Sequence, residues 1–81
     1  MTRDEIRATV LRALGEIAPE AELGRLAASA ELREVLDLDS MDFLGFVQRL
    51  AQATGVEVPE SDYSKLATLQ GCLDYLAARA T

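Results

Sequence analysis

Three stretches of the sequence repeat apolar residues at spacings of three and four, and this pattern constrains the fold more than any other feature. Such spacing is typical of an amphipathic α-helix that buries one face. The apolar positions of the three stretches are Ile6, Val10, Leu11, Leu14 and Ile17, then Leu44, Val47, Leu50 and Ala51 with Phe43 and Phe46 beside them, then Leu69, Cys72, Leu73 and Leu76. The sequence therefore predicts an all-α fold, a small bundle of three main helices plus one short helix, with a long first loop.

Residues that favour helix ends mark the boundaries of these helices. Thr2 and Glu5 have the spacing of a capping box, and Pro19 is expected to stop the first helix just before it. Gly55 suits the left-handed backbone that often follows a helix, and Thr68 is a good cap for the last helix. Counted from their caps, the predicted helices span residues 2–18, 40–54, 61–65 and 68–79, with the second one beginning at Ser40 or Met41.

The segment between the first two long helices, residues 19–39, shows no single period. Its six large apolar residues are Leu23, Leu26, Leu32, Val35, Leu36 and Leu38. A connection with so many apolar residues is expected to be packed and ordered, with short helical turns around 20–26 and 30–36. Farther along, an extended link is expected to hold Val56 and Val58 against the core. With 81 residues, the chain is expected to be one freestanding domain.

The composition is that of a folded protein with an acidic surface. Hydrophobic residues make up 49% and charged residues 27% of the chain, which argues against disorder, and the formal charge is −6. Neither nucleic acid nor an anionic membrane surface is expected as a partner, since both attract cationic proteins. Residues 31–42 contain five acids and one base, so this segment is either a solvated loop or a patch that attracts a basic partner. No signal peptide or spanning helix is visible, so stable membrane association is not expected and a cytoplasmic location is the default.

The residue types that enzymes use most are scarce in this sequence. It contains no histidine and one cysteine, and Lys65 is its single lysine. A serine nucleophile would lack its usual base, and no spacing places Lys65 near Ser40. A zinc site would lack a ligand set, and Cys72 is expected to be a small core residue. We therefore predict no catalytic residue and no metal site.

One serine, Ser40, stands between two acids where the second long helix is predicted to begin. Serine at this position is often an N-cap that accepts a hydrogen bond from the first turn. The alternative is covalent attachment, since the N–H groups and positive dipole at a helix N-terminus stabilise a phosphate. Asp39 and Asp42 would repel that phosphate mildly, and a basic enzyme that docks there to deliver it would explain their presence. The residues alone leave both interpretations open.

Two motifs resemble those of acyl carrier proteins of the freestanding type. The segment Leu36-Asp37-Leu38-Asp39-Ser40-Met41-Asp42 is similar to their prosthetic-group motif, in which Asp-Ser-Leu or Asp-Ser-Met follows an apolar residue. The segment Gly55-Val56-Glu57-Val58-Pro59-Glu60 resembles their link of Gly-Ile-x-Ile-Pro and an acid. The segment Leu66-Ala67-Thr68-Leu69, followed by Leu73, Tyr75 and Leu76, resembles the final helix of that family. The resemblance covers most of the chain and is most specific over residues 36–60.

The resemblance implies that Ser40 carries 4′-phosphopantetheine, transferred from coenzyme A by a phosphopantetheinyl transferase. It also implies that the thiol of this arm holds acyl groups as thioesters, so that the reactive sulfur comes with the cofactor. The protein would then present the arm to other enzymes without being an enzyme itself. The expected partners are that transferase and acyl-activating, condensing or acyl-transferring enzymes, which would recognise Asp39, Met41 and Asp42. A protein that passes between such partners is expected to be a monomer.

The sequence departs from the family along the second helix, where members commonly carry glutamates that meet basic partners. After Asp42 this helix has no acid and one base. We therefore expect a specialised carrier for a fatty-acid, lipid or polyketide-type pathway, whose later partners recognise a more hydrophobic face. The residues that either line an acyl pocket or simply fill the core are Phe43, Phe46, Val47 and Leu50.

Two other functions remain open at this point. An aminoacyl or peptidyl carrier, including a D-alanyl carrier, would use the same arm with a different cargo. Such carriers more often have a Gly-rich approach to the serine, whereas residues 36–39 contain only leucine and aspartate, which favours acyl cargo. A small helical interaction module would instead use Ser40 as a cap and carry no prosthetic group.

Overall fold

The computed structural model describes residues 1–80, which form four α-helices and two 3-10 segments. The α-helices are α1 (Arg3–Ile17), α2 (Leu32–Val35), α3 (Ser40–Thr54) and α4 (Leu69–Arg79). The first 3-10 segment is Leu23–Arg25 and the second is Glu60–Leu66. The predicted all-α bundle of three main helices is confirmed, and the predicted short helix after α3 is a 3-10 helix.

The helix ends follow the predicted capping residues. The Thr2 hydroxyl accepts a hydrogen bond from the amide of Glu5 at 3.1 Å, and the Glu5 carboxylate accepts one from the amide of Thr2 at 2.8 Å. Gly55 ends α3 with φ = 73°, the left-handed conformation that favours glycine. At the start of α4, the Thr68 hydroxyl accepts a hydrogen bond from the amide of Gly71 at 2.9 Å. These predicted boundaries are confirmed.

The core lies where α1 packs against both α3 and α4. Its largest fully buried side chains are Phe46, Ile6, Leu14, Leu32, Leu50, Leu66, Leu69, Leu76, Val10 and Cys72. The buried residues of α3, which have the spacing of one helical face, are Phe43, Phe46, Val47 and Leu50. The prediction that Leu44 belongs to this face was wrong. Leu44 is 40% exposed, because it follows Phe43 by one residue and lies at the edge of the stripe.

The long connection between α1 and α3 is ordered, as predicted, and is attached to the second half of the chain. The amide of Leu32 donates a hydrogen bond to the carbonyl of Ala67 at 2.8 Å. Leu32 and Leu38 are buried. The partly buried leucines of this connection that pack against the core are Leu23, Leu26 and Leu36. The prediction was wrong at Val35, which is 59% exposed, because the single turn of α2 buries Leu32 alone.

The link after α3 and the cysteine also lie where the sequence predicts. Val56 is buried and Val58 packs against the core, so the extended link is held at both valines. Cys72 is fully buried on the inner face of α4, and this burial raises the pKa of its thiol to about 12. Because the thiolate is the reactive form of cysteine, the folded protein protects this side chain from thiol chemistry.

Replacing Gly71 with alanine is expected to destabilise the protein, although alanine favours helices. A Cβ at this position in α4 would collide with the carbonyl oxygen of Lys65, a backbone atom. Overpacking of this kind costs about 1–3 kcal/mol of the free energy of unfolding. The matched control is Gly15→Ala in α1, where the added Cβ makes ordinary contact with Leu23. That change should stabilise the protein by about 1 kcal/mol.

Urea unfolding of the Gly71→Ala and Gly15→Ala variants measures both effects. If both substitutions changed the free energy of unfolding in the same direction, the close approach of α4 to the second 3-10 segment would be contradicted.

Candidate functional site

The first turn of α3 is capped by Asp39 rather than by Ser40. The Asp39 carboxylate accepts a hydrogen bond from the amide of Asp42 at 2.7 Å, and the Asp42 carboxylate accepts one from the amide of Asp39 at 3.2 Å. The two acids thus form a reciprocal capping box. Ser40 is the first residue inside the helix, so the interpretation of Ser40 as the N-cap is wrong.

The capping box leaves the Ser40 hydroxyl exposed. Ser40 is solvent-exposed, and the side-chain hydrogen bonds found among residues 1–80 at this helix end are those of Asp39 and Asp42. The first amides of a helix have no partner within it, and the positive end of the helix dipole lies there. The site therefore offers a free hydroxyl beside the positive end of a helix.

The turn before Ser40 fixes the position of this residue at the surface. Asp37 has φ = 54°, a left-handed conformation that aspartate tolerates better than most residues. The amide of Leu38 donates a hydrogen bond to the carbonyl of Arg33 at 2.9 Å, and the Leu38 side chain is buried. α2 and α3 are therefore joined by a closed turn rather than by a loose loop.

A groove of about 650 Å³ opens beside Ser40, between α2, the start of α3 and the second 3-10 segment. Its lining residues are Glu31, Arg33, Ser40, Met41, Phe43, Leu44, Glu60, Tyr63, Ser64 and Ala67. The rings of Phe43 and Tyr63 meet there edge to face, with their centroids 6.3 Å apart. Of the four residues predicted to line an acyl pocket, Phe43 lies at this groove, whereas Phe46, Val47 and Leu50 lie in the core.

The second 3-10 segment forms one wall of the groove and is attached to α4 by a polar contact. The Tyr75 hydroxyl donates a hydrogen bond to the Asp62 carboxylate at 2.7 Å, and the Lys65 ammonium lies 3.3 Å from the same carboxylate. The hydrogen bond from Tyr75 lowers the pKa of Asp62. The carboxylate therefore accepts this hydrogen bond in its ionised form, and the contact attaches this wall of the groove to α4.

The residues around Ser40 include few of the types that enzymes use for catalysis or metal binding. The chain has no histidine, and the single lysine, Lys65, pairs with Asp62. In the described part of the chain, no group of three or more His, Cys, Asp or Glu side chains could hold a metal ion. An exposed hydroxyl such as that of Ser40 can accept a group that another protein delivers, and the groove lies beside it.

The predicted recognition residues form two kinds of surface at this end of α3. Met41 is 79% exposed and lies beside the partly exposed Leu44, which makes an apolar patch next to Ser40. Asp39 is exposed and Asp42 is half-buried. Because these two acids also form the capping box, they have a structural role that the sequence analysis did not predict.

Sequence reasoning also missed Arg33 and Tyr63, which line the groove. Arg33 carries one usable signal, since it is the single base among five acids in residues 31–42. Tyr63 carries none, because it lies on a separate segment that only the fold brings to α3.

Most of the chain, residues 4–76, matches the family model described as a phosphopantetheine attachment site. The chain belongs to the acyl carrier protein family. It is similar to an acyl carrier protein of Rubrobacter xylanophilus, with 29% identity over 84 residues that cover all of this chain and 99% of that protein. It is also similar to an acyl carrier protein of Thermosynechococcus vestitus, with 33% identity over 52 residues that cover 64% of each chain. The predicted family is confirmed, and with it the cofactor, 4′-phosphopantetheine.

The residues of this carrier protein fit a covalently attached phosphopantetheine. An exposed hydroxyl at a helix N-terminus can form the phosphodiester, and the neighbouring groove has apolar side chains against which an arm can lie. The volume of the groove, about 650 Å³, is within the range of small-molecule sites.

Members of this family are carriers rather than catalysts. Among residues 1–80, no helix has both the length and the apolar character needed to cross a membrane.

Proposed function

We propose that Ser40 is the attachment residue for phosphopantetheine, and that the protein carries acyl groups as thioesters on this arm. The observation that carries the proposal is the capping box of α3. Because the carboxylates of Asp39 and Asp42 accept the hydrogen bonds of the cap, the Ser40 hydroxyl takes no part in capping, and it is exposed and free to react. The arm supplies the thiol that forms the thioester, and the protein presents that thiol to its partner enzymes.

Loading of Ser40 is a group transfer in which this chain supplies the acceptor. A bond forms between the Ser40 oxygen and a phosphorus of coenzyme A, the pyrophosphate bond breaks, and adenosine bisphosphate leaves. The hydroxyl proton would pass to a base of the phosphopantetheinyl transferase, because the nearby carboxylates of Asp39 and Asp42 already accept hydrogen bonds from the helix backbone. The N-terminus of α3 then stabilises the phosphodiester.

Intact-mass spectrometry tests the proposal directly. The protein is incubated with a broad-specificity phosphopantetheinyl transferase, coenzyme A and magnesium, beside a known carrier protein as a positive control. We expect each chain to gain the mass of one phosphopantetheinyl group. An unchanged mass, in a reaction that converts the control, would overturn the proposal and leave a helical interaction module without a prosthetic group.

The loaded protein is expected to show one reactive thiol when folded, and the unloaded protein none. Cys72 is buried and the pKa of its thiol is raised to about 12, so it should not react at about pH 8. The thiols are counted with a disulfide-exchange reagent, first in the folded protein and then after unfolding in urea. In the unloaded protein, no thiol should react in the folded state and one should react after unfolding. The loaded protein should give one and then two. A reactive thiol in the folded, unloaded protein would contradict the burial of Cys72.

Asp39 and Asp42 are proposed to attract the basic transferase in addition to capping α3. Asp39→Asn removes a charge but keeps a capping oxygen, so stability should change by less than about 0.5 kcal/mol. The variant should lower kcat/KM for loading and weaken the dependence of that constant on ionic strength. Asp4→Asn in the first turn of α1 is the matched control and should load normally. An identical kcat/KM and salt dependence for Asp39→Asn and wild type would remove Asp39 from transferase recognition.

The rest of α3 presents few charges, and we propose that it meets partners with an apolar surface. Met41 and Leu44 are exposed, and the single base of this helix, Arg49, lies 3.4 Å from Glu16 in an ion pair. Such a surface suits a specialised cytoplasmic carrier in a fatty-acid, lipid or polyketide-type pathway, which meets acyl-activating, condensing or acyl-transferring enzymes. Binding of those enzymes should depend less on ionic strength than loading does.

The groove beside Ser40 is proposed to shelter the acyl group. The ring of Phe43 lies at the groove, and its centroid is 6.0 Å from that of the buried Phe46. Phe46, Val47 and Leu50 are the buried residues that follow Phe43 along α3, so an acyl chain that displaced the Phe43 ring would reach Phe46 first. The proposed lining of the acyl pocket therefore consists of Phe43, Phe46, Val47 and Leu50.

A further inference from the structure

Arg33 lines the groove, and none of the ion pairs found within residues 1–80 includes it. The basic residues of the ion pairs are Arg3, Arg25, Arg49 and Lys65. The Arg33 guanidinium instead lies over the ring of Phe43, with its central carbon 5.8 Å from the ring centroid. Among the residues that line the groove, Arg33 is the one with a positive charge.

The backbone on both sides of Arg33 holds this residue beside α3. The preceding residue, Leu32, is buried, and its amide donates a hydrogen bond to the carbonyl of Ala67 at 2.8 Å. The carbonyl of Arg33 accepts a hydrogen bond from the amide of Leu38 at 2.9 Å. The side chain therefore leaves α2 at a fixed point, and its direction is set by the contact with Phe43.

Arg33 and Ser40 line the same groove, and so does Phe43, the residue that the guanidinium contacts. Phe43 follows Ser40 by three residues, so their Cβ atoms are neighbours on one face of α3, about 5–6 Å apart. A phosphodiester on Ser40 would lie near the carboxylates of Asp39 and Asp42, which repel it. A guanidinium offsets this repulsion well, because it donates two parallel hydrogen bonds to phosphate.

Resting on the proposed attachment at Ser40, we infer that Arg33 holds the phosphodiester of the phosphopantetheine arm and thereby positions the arm over the groove. We assign Arg33 to the phosphodiester rather than to a carboxylate on the cargo, because covalent attachment at Ser40 fixes the phosphodiester beside the groove that both residues line. Arg33 acts in this account as a positioning residue. It is not needed for the transfer step itself.

Four proteins with loaded but unacylated arms test this inference: wild type, Arg33→Gln, Arg33→Lys and Arg12→Gln. Arg12→Gln is the matched control, because it removes the same charge from the exposed face of α1. In Arg33→Gln, the phosphorus NMR resonance should move towards that of free phosphopantetheine, and Arg33→Lys should restore it in part. The rise in Tm on loading should be smaller by about 4 °C in Arg33→Gln than in wild type. Arg12→Gln should behave as wild type in both measurements.

The possible results separate the inference from the proposed function. If all four proteins gain the arm, but Arg33→Gln keeps the wild-type phosphorus resonance and Tm change, the inference is overturned and attachment at Ser40 stands. Equal changes in Arg33→Gln and Arg12→Gln would assign the effect to net charge and also overturn it. If none of the four proteins gains mass, both the attachment and the role of Arg33 are overturned.

Discussion

Replacing Ser40 with alanine is expected to abolish loading completely, while the free energy of unfolding stays within about 0.5 kcal/mol of wild type. Loading is lost because the substitution removes the acceptor oxygen. Stability is kept because Asp39 and Asp42, not Ser40, make the hydrogen bonds that cap α3. Intact mass after treatment with the transferase measures the first effect, and urea unfolding measures the second.

Asp39→Ala should give the opposite pair of results. It removes the cap oxygen, so the free energy of unfolding should fall by about 1 kcal/mol, within a range of about 0.5–2 kcal/mol for such caps. A mass gain is still expected, at a lower rate, because Ser40 is present. If Ser40→Ala instead cost about 1 kcal/mol and Asp39→Ala cost nothing, Ser40 would be the cap and the assignment of the site would be contradicted.

Phe46→Ala is expected to cause the largest loss of stability. Phe46 is fully buried on α3 and its ring packs near that of Phe43. Deleting a buried phenylalanine ring costs about 3–5 kcal/mol. That is a large share of the roughly 4–12 kcal/mol expected for a domain of this size. Thermal and urea unfolding should show a clearly lower Tm and a lower urea midpoint than those of the wild type.

Leu44→Ala is the matched control for the stability of Phe46→Ala, since it removes another large apolar side chain from the same helix. Leu44 is 40% exposed, so its loss should cost about 1 kcal/mol or less. Equal losses in the two variants would contradict the assignment of Phe46 to the core and Leu44 to the surface.

A conservative change, Phe46→Leu, addresses the proposed acyl pocket because it keeps a large apolar side chain in the core. If Phe46 borders the pocket, this variant should change which acyl chain lengths are protected from thioester hydrolysis. An unchanged pattern of protection would remove Phe46 from the pocket and leave it with a core role alone.

The helices of this protein could be predicted from its sequence, but the inner face of α3 could only be predicted in part. Leu44, Val47 and Leu50 have helical spacing, and so do Phe43, Phe46 and Val47. Both sets are compatible with one amphipathic helix. The packing of α1 and α4 against α3 decides between them, and that packing is not visible in the local pattern.

The start of α3 shows a similar division between what was predictable and what was not. The motif around Ser40 predicted this residue as the attachment site, but two residues there could cap the helix. The spacing from Asp39 to Asp42 fits a capping box, whereas the residue three positions after Ser40 is Phe43. That spacing could have identified the cap.

The groove could not be predicted from any local pattern. Glu31, Phe43 and Tyr63 belong to separate segments, and they line one groove because the chain folds back on itself. The spacing of apolar residues within each segment does not indicate which segments come together in the fold.

Peptide mapping of the loaded protein tests the central claim most directly. Trypsin cuts after Arg33 and Arg49, and in the peptide between them, residues 34–49, Ser40 is the single residue with a hydroxyl group. We predict that tandem mass spectrometry will find the phosphopantetheinyl group on this peptide, with fragment ions that place it on Ser40. A phosphopantetheinyl group on any other peptide, or on none after a competent transferase has acted, would contradict the account.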